Sequence, residues 1–109
     1  MKAKIFIKED YIGNTNFRIA DERMGGIIGD LIPNESYKKY QGIIQSLTEK
    51  KGIANISDFN FRIIINDGYE LNPIGGIGIT DSEKFNEIII ESAGNELKII
   101  DRIKKEASR

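Results

Sequence analysis

Residues 59–66, Phe-Asn-Phe-Arg-Ile-Ile-Ile-Asn, leave this chain the fewest choices. Phe59, Phe61, Ile63 and Ile65 recur at the two-residue period of a β-strand, and Ile64 adds an apolar residue to the opposite face. A segment that is apolar on one face and partly so on the other needs cover on both, so it is expected as a central strand. The aliphatic residues elsewhere favour the same architecture: valine is absent, leucine occurs only at 31, 47, 71 and 97, and isoleucine supplies most of the rest. Isoleucine is branched at Cβ and stiff about χ1, which suits strands where it clusters.

Residues 2–8 alternate, with Ala3, Ile5 and Ile7 on one side and Lys2, Lys4, Phe6 and Lys8 on the other, as in a half-buried strand. Gly13-Asn14 offers a turn, and residues 15–21 alternate again with Phe17 and Ile19 inward, so these two segments are expected to pair as a hairpin. Beyond the charged Asp21-Glu22-Arg23, residues 24–32 form an apolar run broken by Gly25, Gly26 and Gly29. Asn34, after Pro33, suits the N-cap of a helix in which Tyr37, Tyr40, Ile43, Ile44 and Leu47 recur at helical spacing and which Gly52 ends. Gly42 in its middle costs about 1 kcal/mol against alanine, which predicts close packing there.

A short link through Ser57-Asp58 leads to the central strand, and Asp67-Gly68 is a hairpin signal with residues 69–71 as the return arm. Pro73 predicts an edge or a break before the glycine-interrupted run 74–80. Residues 81–86 read as a turn, and 87–92, with Ile88, Ile89 and Ile90, as a buried strand. Leu97, Ile99, Ile100, Ile103 and Ala107 suit an amphipathic helix capped by Asn95; a strand through 97–100 is the competing reading.

Together these elements predict a single α+β domain over residues 1–109: a mostly antiparallel sheet of about five to seven strands packed against one central helix and a C-terminal helix. Asn-Phe-Arg-Ile occurs at 16–19 and at 60–63, and Gly-Gly-Ile at 25–27 and at 75–77. Two duplicated half-units, 1–52 and 53–109, would account for this, as would two similar strand pairs.

The means for chemistry are few. Cysteine and histidine are both absent, which removes disulfides, thiolate nucleophiles, imidazole bases and most transition-metal ligands. No apolar run has the length of a signal peptide or a membrane span, so the expected location is the cytoplasm. The glycine clusters match neither a P-loop nor a dinucleotide fingerprint, and Ser36-Tyr37-Lys38-Lys39 lacks the Lys-Thr-Gly partner of penicillin-recognising enzymes. Lys98, Arg102, Lys104, Lys105 and Arg109 are interleaved with Glu96, Asp101 and Glu106, and the net charge is −1, which argues against nucleic acid as a partner. No catalytic, metal-binding or cofactor-binding residue is assigned.

What remains is a small protein whose surface does the work, a protein-binding module rather than an enzyme. Its most concrete form is an immunity protein that neutralises a bacterial toxin domain, because such an inhibitor needs only a rigid scaffold and a complementary surface. Glu9, Asp10, Asp21, Glu22, Asp30, Asp81 and Glu83, expected in turns or at strand ends, would form an acidic patch for a basic partner. Tyr37 and Tyr40 would serve as interface aromatics. Phe17, Phe59, Phe61 and Phe85 are expected in the core, with Phe6 outward. The rival readings are a small ligand-binding domain or enzyme using the glycine runs beside Asp30 or Asp81, and a homodimer formed through an open sheet edge after Pro73.

Overall fold

The computed structural model describes residues 1–55 and 59–108, with Asn55 described by its backbone; the expected link at Ser57-Asp58 and the terminal Arg109 lie outside the described residues. In chain order the elements are β1 (Lys2–Ile7), β2 (Asp10–Asn16), β3 (Arg18–Asp21), β4 (Gly26–Asp30), β5 (Ile32–Pro33), a 3-10 turn (Glu35–Tyr37), α1 (Lys38–Lys51), β6 (Ala54–Asn55), β7 (Phe61–Ile65), β8 (Ile77–Ser82), β9 (Glu87–Ser92) and α2 (Leu97–Ala107). The fold is α+β with antiparallel pairing, one central and one C-terminal helix. Its strands are divided between two sheets, a four-stranded one ordered β5-β2-β1-β7 and a five-stranded one ordered β3-β4-β9-β8-β6.

The four-stranded sheet follows from matched alternation. Ala3, Ile5 and Ile7 of β1 lie opposite Ile65, Ile63 and Phe61 of β7, so both apolar faces point the same way and all six side chains are buried. β1 turns into β2 at Lys8-Glu9, not at Gly13-Asn14 as expected, and Lys8 takes the left-handed conformation there (φ 55°). Gly13 lies within β2, where β5 approaches so closely that a Cβ would collide with the Ile32 carbonyl. The first hairpin therefore joins residues 2–7 to 10–16, and residues 18–21 belong to the other sheet.

β7, expected at the centre, is the last strand of its sheet. Its outer edge is satisfied by the return arm: Leu71 N–H donates to Ile63 O (2.9 Å), Ile65 N–H to Tyr69 O (3.0 Å), and Ile64 bridges Glu70. Arg62 grips Glu70 through two hydrogen bonds (3.0 and 2.7 Å) and lies over the Phe6 ring, which also meets Tyr11. Phe6 is thereby half-covered without a partner protein. Phe59 stacks on Phe61, whereas Phe85 is 67% exposed in the turn between β8 and β9, contrary to its expected place in the core.

The chain crosses between sheets at Phe17, which is buried. Thr15 Oγ1 donates to Asp30 O (2.7 Å) across the interface, and Gly29 is needed there because a Cβ would strike the Thr15 hydroxyl. Asn34 opens the helical segment as expected, its Oδ1 accepting from Ser36 N–H (3.0 Å), and left-handed Gly52 closes it. Gly42 has open space where close packing was expected. Residues 97–107 are helical, burying Ile99, Ile100 and Ile103 and leaving Leu97 exposed. Asn95 does not cap that helix; its amide donates to Gly25 O and Ser92 Oγ, pinning the loop before α2 to the β3–β4 turn. Of the repeated motifs, 16–19 spans the crossing from β2 to β3 and 60–63 enters β7, while both Gly-Gly-Ile runs lead into strands that flank β9.

Candidate protein-binding face

Alternation in the five-stranded sheet sorts its residues into two faces. In register, Ile27, Ser92 and Ile77 share one face with Gly29, Ile90, Ile79 and Ala54, and all of these are buried. The other face carries Arg18, Ile28, Glu91 and Gly78 in one row and Asp30, Ile89 and Thr80 in the next, followed by Ser82 and Glu87. Ile28, Ile89 and Thr80 are half-buried, and Asp30, Glu87 and Glu91 are exposed.

Asp81 falls on the inner face, one residue out of phase with Thr80. It is 2% exposed, and its carboxylate accepts from Tyr37 Oη (2.6 Å), Gln41 Nε2 (3.2 Å) and Gln45 Nε2 (3.2 Å). Its own N–H donates to Thr48 Oγ1 (3.1 Å). Helical spacing places Tyr37, Gln41, Gln45 and Thr48 on one side of the helical segment, so a single carboxylate fastens that segment to β8. The donors are neutral, and they compensate a buried acceptor whose burial bare would be costly. Burial and the bond to Asp81 push the Tyr37 phenol well above its ordinary value. Asp81 and Tyr37 are thus turned toward each other in the interior, not available on the acidic, tyrosine-bearing surface expected of them.

The other expected residues do not form one patch. Asp10 bonds Lys39 Nζ (2.7 Å) and Tyr40 Oη (2.8 Å), and these contacts, Lys39 first, hold its carboxyl below the usual range; the bond to Asp10 in turn raises the Tyr40 phenol. Glu9 is exposed beside it in the same turn. Asp21 ends β3 and accepts from Met24 N–H (3.2 Å), and Glu22, in the turn that follows, pairs with Lys104 of α2. Asp30 ends β4 at the far side of the sheet, and Glu83 lies in the β8–β9 turn. β8, which follows Pro73, is flanked by β9 and β6, so the open edge expected there for a homodimer is already paired.

Sequence reasoning missed Glu87 and Glu91. With Ile89 they occupy alternate positions of β9, and the signal was the polar-apolar-polar spacing at 87, 89 and 91, masked by the continuous Ile88-Ile89-Ile90 run. Asp30, opposite Ile89, stands diagonally between them, about 7–8 Å from each along the sheet. The carboxylates of Asp30, Glu87 and Glu91 have no hydrogen-bond or ion-pair partner among the described residues. The arrangement is a half-apolar centre bordered by three solvated carboxylates, with the Arg18 side of β3 as its one basic border.

Among the described residues no group of three or more His, Cys, Asp or Glu side chains is placed to hold a metal ion, and no helix is long and apolar enough to cross a membrane. Comparison with protein-family models, with curated proteins and with solved structures finds no match for this chain.

Proposed function

We propose that this chain is a protein-binding module whose working surface is the outer face of the five-stranded sheet, and most concretely a cytoplasmic immunity protein that blocks a bacterial toxin domain. The observation that carries this reading is the triangle of unpaired carboxylates, Asp30, Glu87 and Glu91, about half-buried Ile89, with half-buried Ile28 beside it. Apolar residues inside a charged rim supply the two parts of a protein interface, a desolvated centre and a polar border. Three carboxylates against the single Arg18 leave this face negative, which selects a basic partner and speeds the encounter. The function requires no reacting group in this chain; it requires the sheet to hold its shape while the partner's basic surface is covered.

The test is purification of the tagged protein from its native cells with intact-complex mass spectrometry of what elutes. A stoichiometric protein partner whose enzymatic or growth-arresting activity returns when this chain is removed supports immunity. Elution alone, or with a small molecule only, removes that support.

A further inference from the structure

On the same outer face, toward the end where β4 and β8 begin, the sheet is hollowed. A depression of 460 Å³ is lined there by Gly26, Gly75, Gly76, Ala20 and Ala93, by Ile53, which covers Gly78, and by Asp21 and Glu91. The Ile53 side chain lies over Gly78, so close that a Cβ there would run into its end, and makes this part of the lining apolar. Its lining is mostly apolar, and its two ionisable residues are both acidic. Asp21 already accepts one backbone N–H, whereas Glu91 has no partner among the described residues.

We infer that this hollow receives an arginine side chain of the protein partner, an inference that rests on the protein-binding reading above. The two charges of the lining demand a cation, and its apolar part demands that the cation arrive on an apolar stem. Arginine meets both conditions: three methylenes lie along the glycines and Ile53 while the planar guanidinium presents paired donors to the Glu91 carboxylate. A lysine would bring a more strongly hydrated point charge without the fork. The glycine runs then serve recognition: they let a long side chain settle onto the sheet.

The inference is tested by titrating ¹⁵N-labelled protein with a short blocked peptide containing one arginine, and with its citrulline counterpart, which keeps the shape and loses the charge. The expected result is saturable shifts at Gly76, Gly78 and Glu91 with the arginine peptide alone, weakened about fivefold by Glu91→Gln. Gly78→Ala pushes the end of the Ile53 side chain off its place into the hollow and is expected to weaken the shifts while leaving the rest of the spectrum in place. Equal shifts with citrulline, or affinity untouched by both variants, would overturn the arginine assignment. Shifts confined to Ile28, Ile89, Asp30 and Glu87 would overturn the hollow while leaving the sheet face as the docking surface. No shift anywhere on that face would overturn both.

Discussion

Tyr37 and Tyr40, one helical turn apart, each give a phenolic hydrogen to an aspartate, Tyr37 to Asp81 at 2.6 Å and Tyr40 to Asp10 at 2.8 Å. The chemistry is the same and the setting is opposite. Asp81 is sealed between the central helix and β8 with neutral donors only, while Asp10 is half-exposed and shares its charge with Lys39. In the first pair each lost hydrogen bond leaves a buried group bare; in the second, water replaces what is removed. The first therefore belongs to stability. Carboxylates on the outer sheet face stand a step further out: with no partner among the described residues, they contribute nothing to folding that their removal would cost.

The sharpest break in this comparison is Asp81→Ala, which leaves Tyr37, Gln41 and Gln45 without their acceptor. It is expected to destabilise the fold by about 3 kcal/mol or more, read as a lowered denaturant midpoint. Tyr37→Phe keeps the packing and loses one bond, so about 1–2 kcal/mol is expected in the same measurement. It also changes the pH dependence. The folded-state Tyr37 value is raised, so its neutral phenol contributes stability that is complete below about pH 10 and is lost as the pH climbs above that. The Phe variant should lack this tyrosine's share of the alkaline loss.

Tyr40→Phe is expected to shift the midpoint less than Tyr37→Phe. Its signature lies on the acid side, because the Asp10 carboxyl is held low by Lys39 and Tyr40. That contribution is present above the ordinary carboxylate range and is lost as the pH falls below it, and the variant should flatten that limb. Smallest of all in stability is the combined Asp30→Asn, Glu87→Gln, Glu91→Gln protein. Its melting should match or slightly exceed that of the parent, since like charges near one another are removed, while binding to a basic partner is lost. A melting temperature that fell instead would mean these carboxylates are held by the fold.

Local signals were readable in the sequence. Alternation in residues 2–7, the Asn34 cap, the Gly52 stop and the Asp67-Gly68 turn each rest on a few neighbouring residues, and each is found where expected. Strand pairing was harder because it depends on residues far apart. Nothing near residues 59–66 says that they form the sheet's last strand, shielded by their own return arm, or that the chain leaves one sheet for the other at Phe17. The turn at Lys8-Glu9 was missed because Lys8 adopts a conformation that favours glycine, while Gly13, nearby, is required by a close strand contact instead. Of the residues expected at turns or strand ends, Asp30 does end a strand. Asp81 was misplaced because its strand runs on through Asp81 and Ser82, two residues further than its polar neighbours suggest, and the alternation sends the Asp81 side chain inward.

The measurement that bears most directly on the working surface is capture from native cells with two baits, the parent chain and an outer-face reversal carrying Asp30→Lys, Glu87→Lys and Glu91→Lys, each first shown to melt cooperatively. The account predicts that a basic protein partner bound stoichiometrically to the parent is absent from the reversed bait. The same partner held equally well by both baits would contradict it and place the interface elsewhere on the molecule.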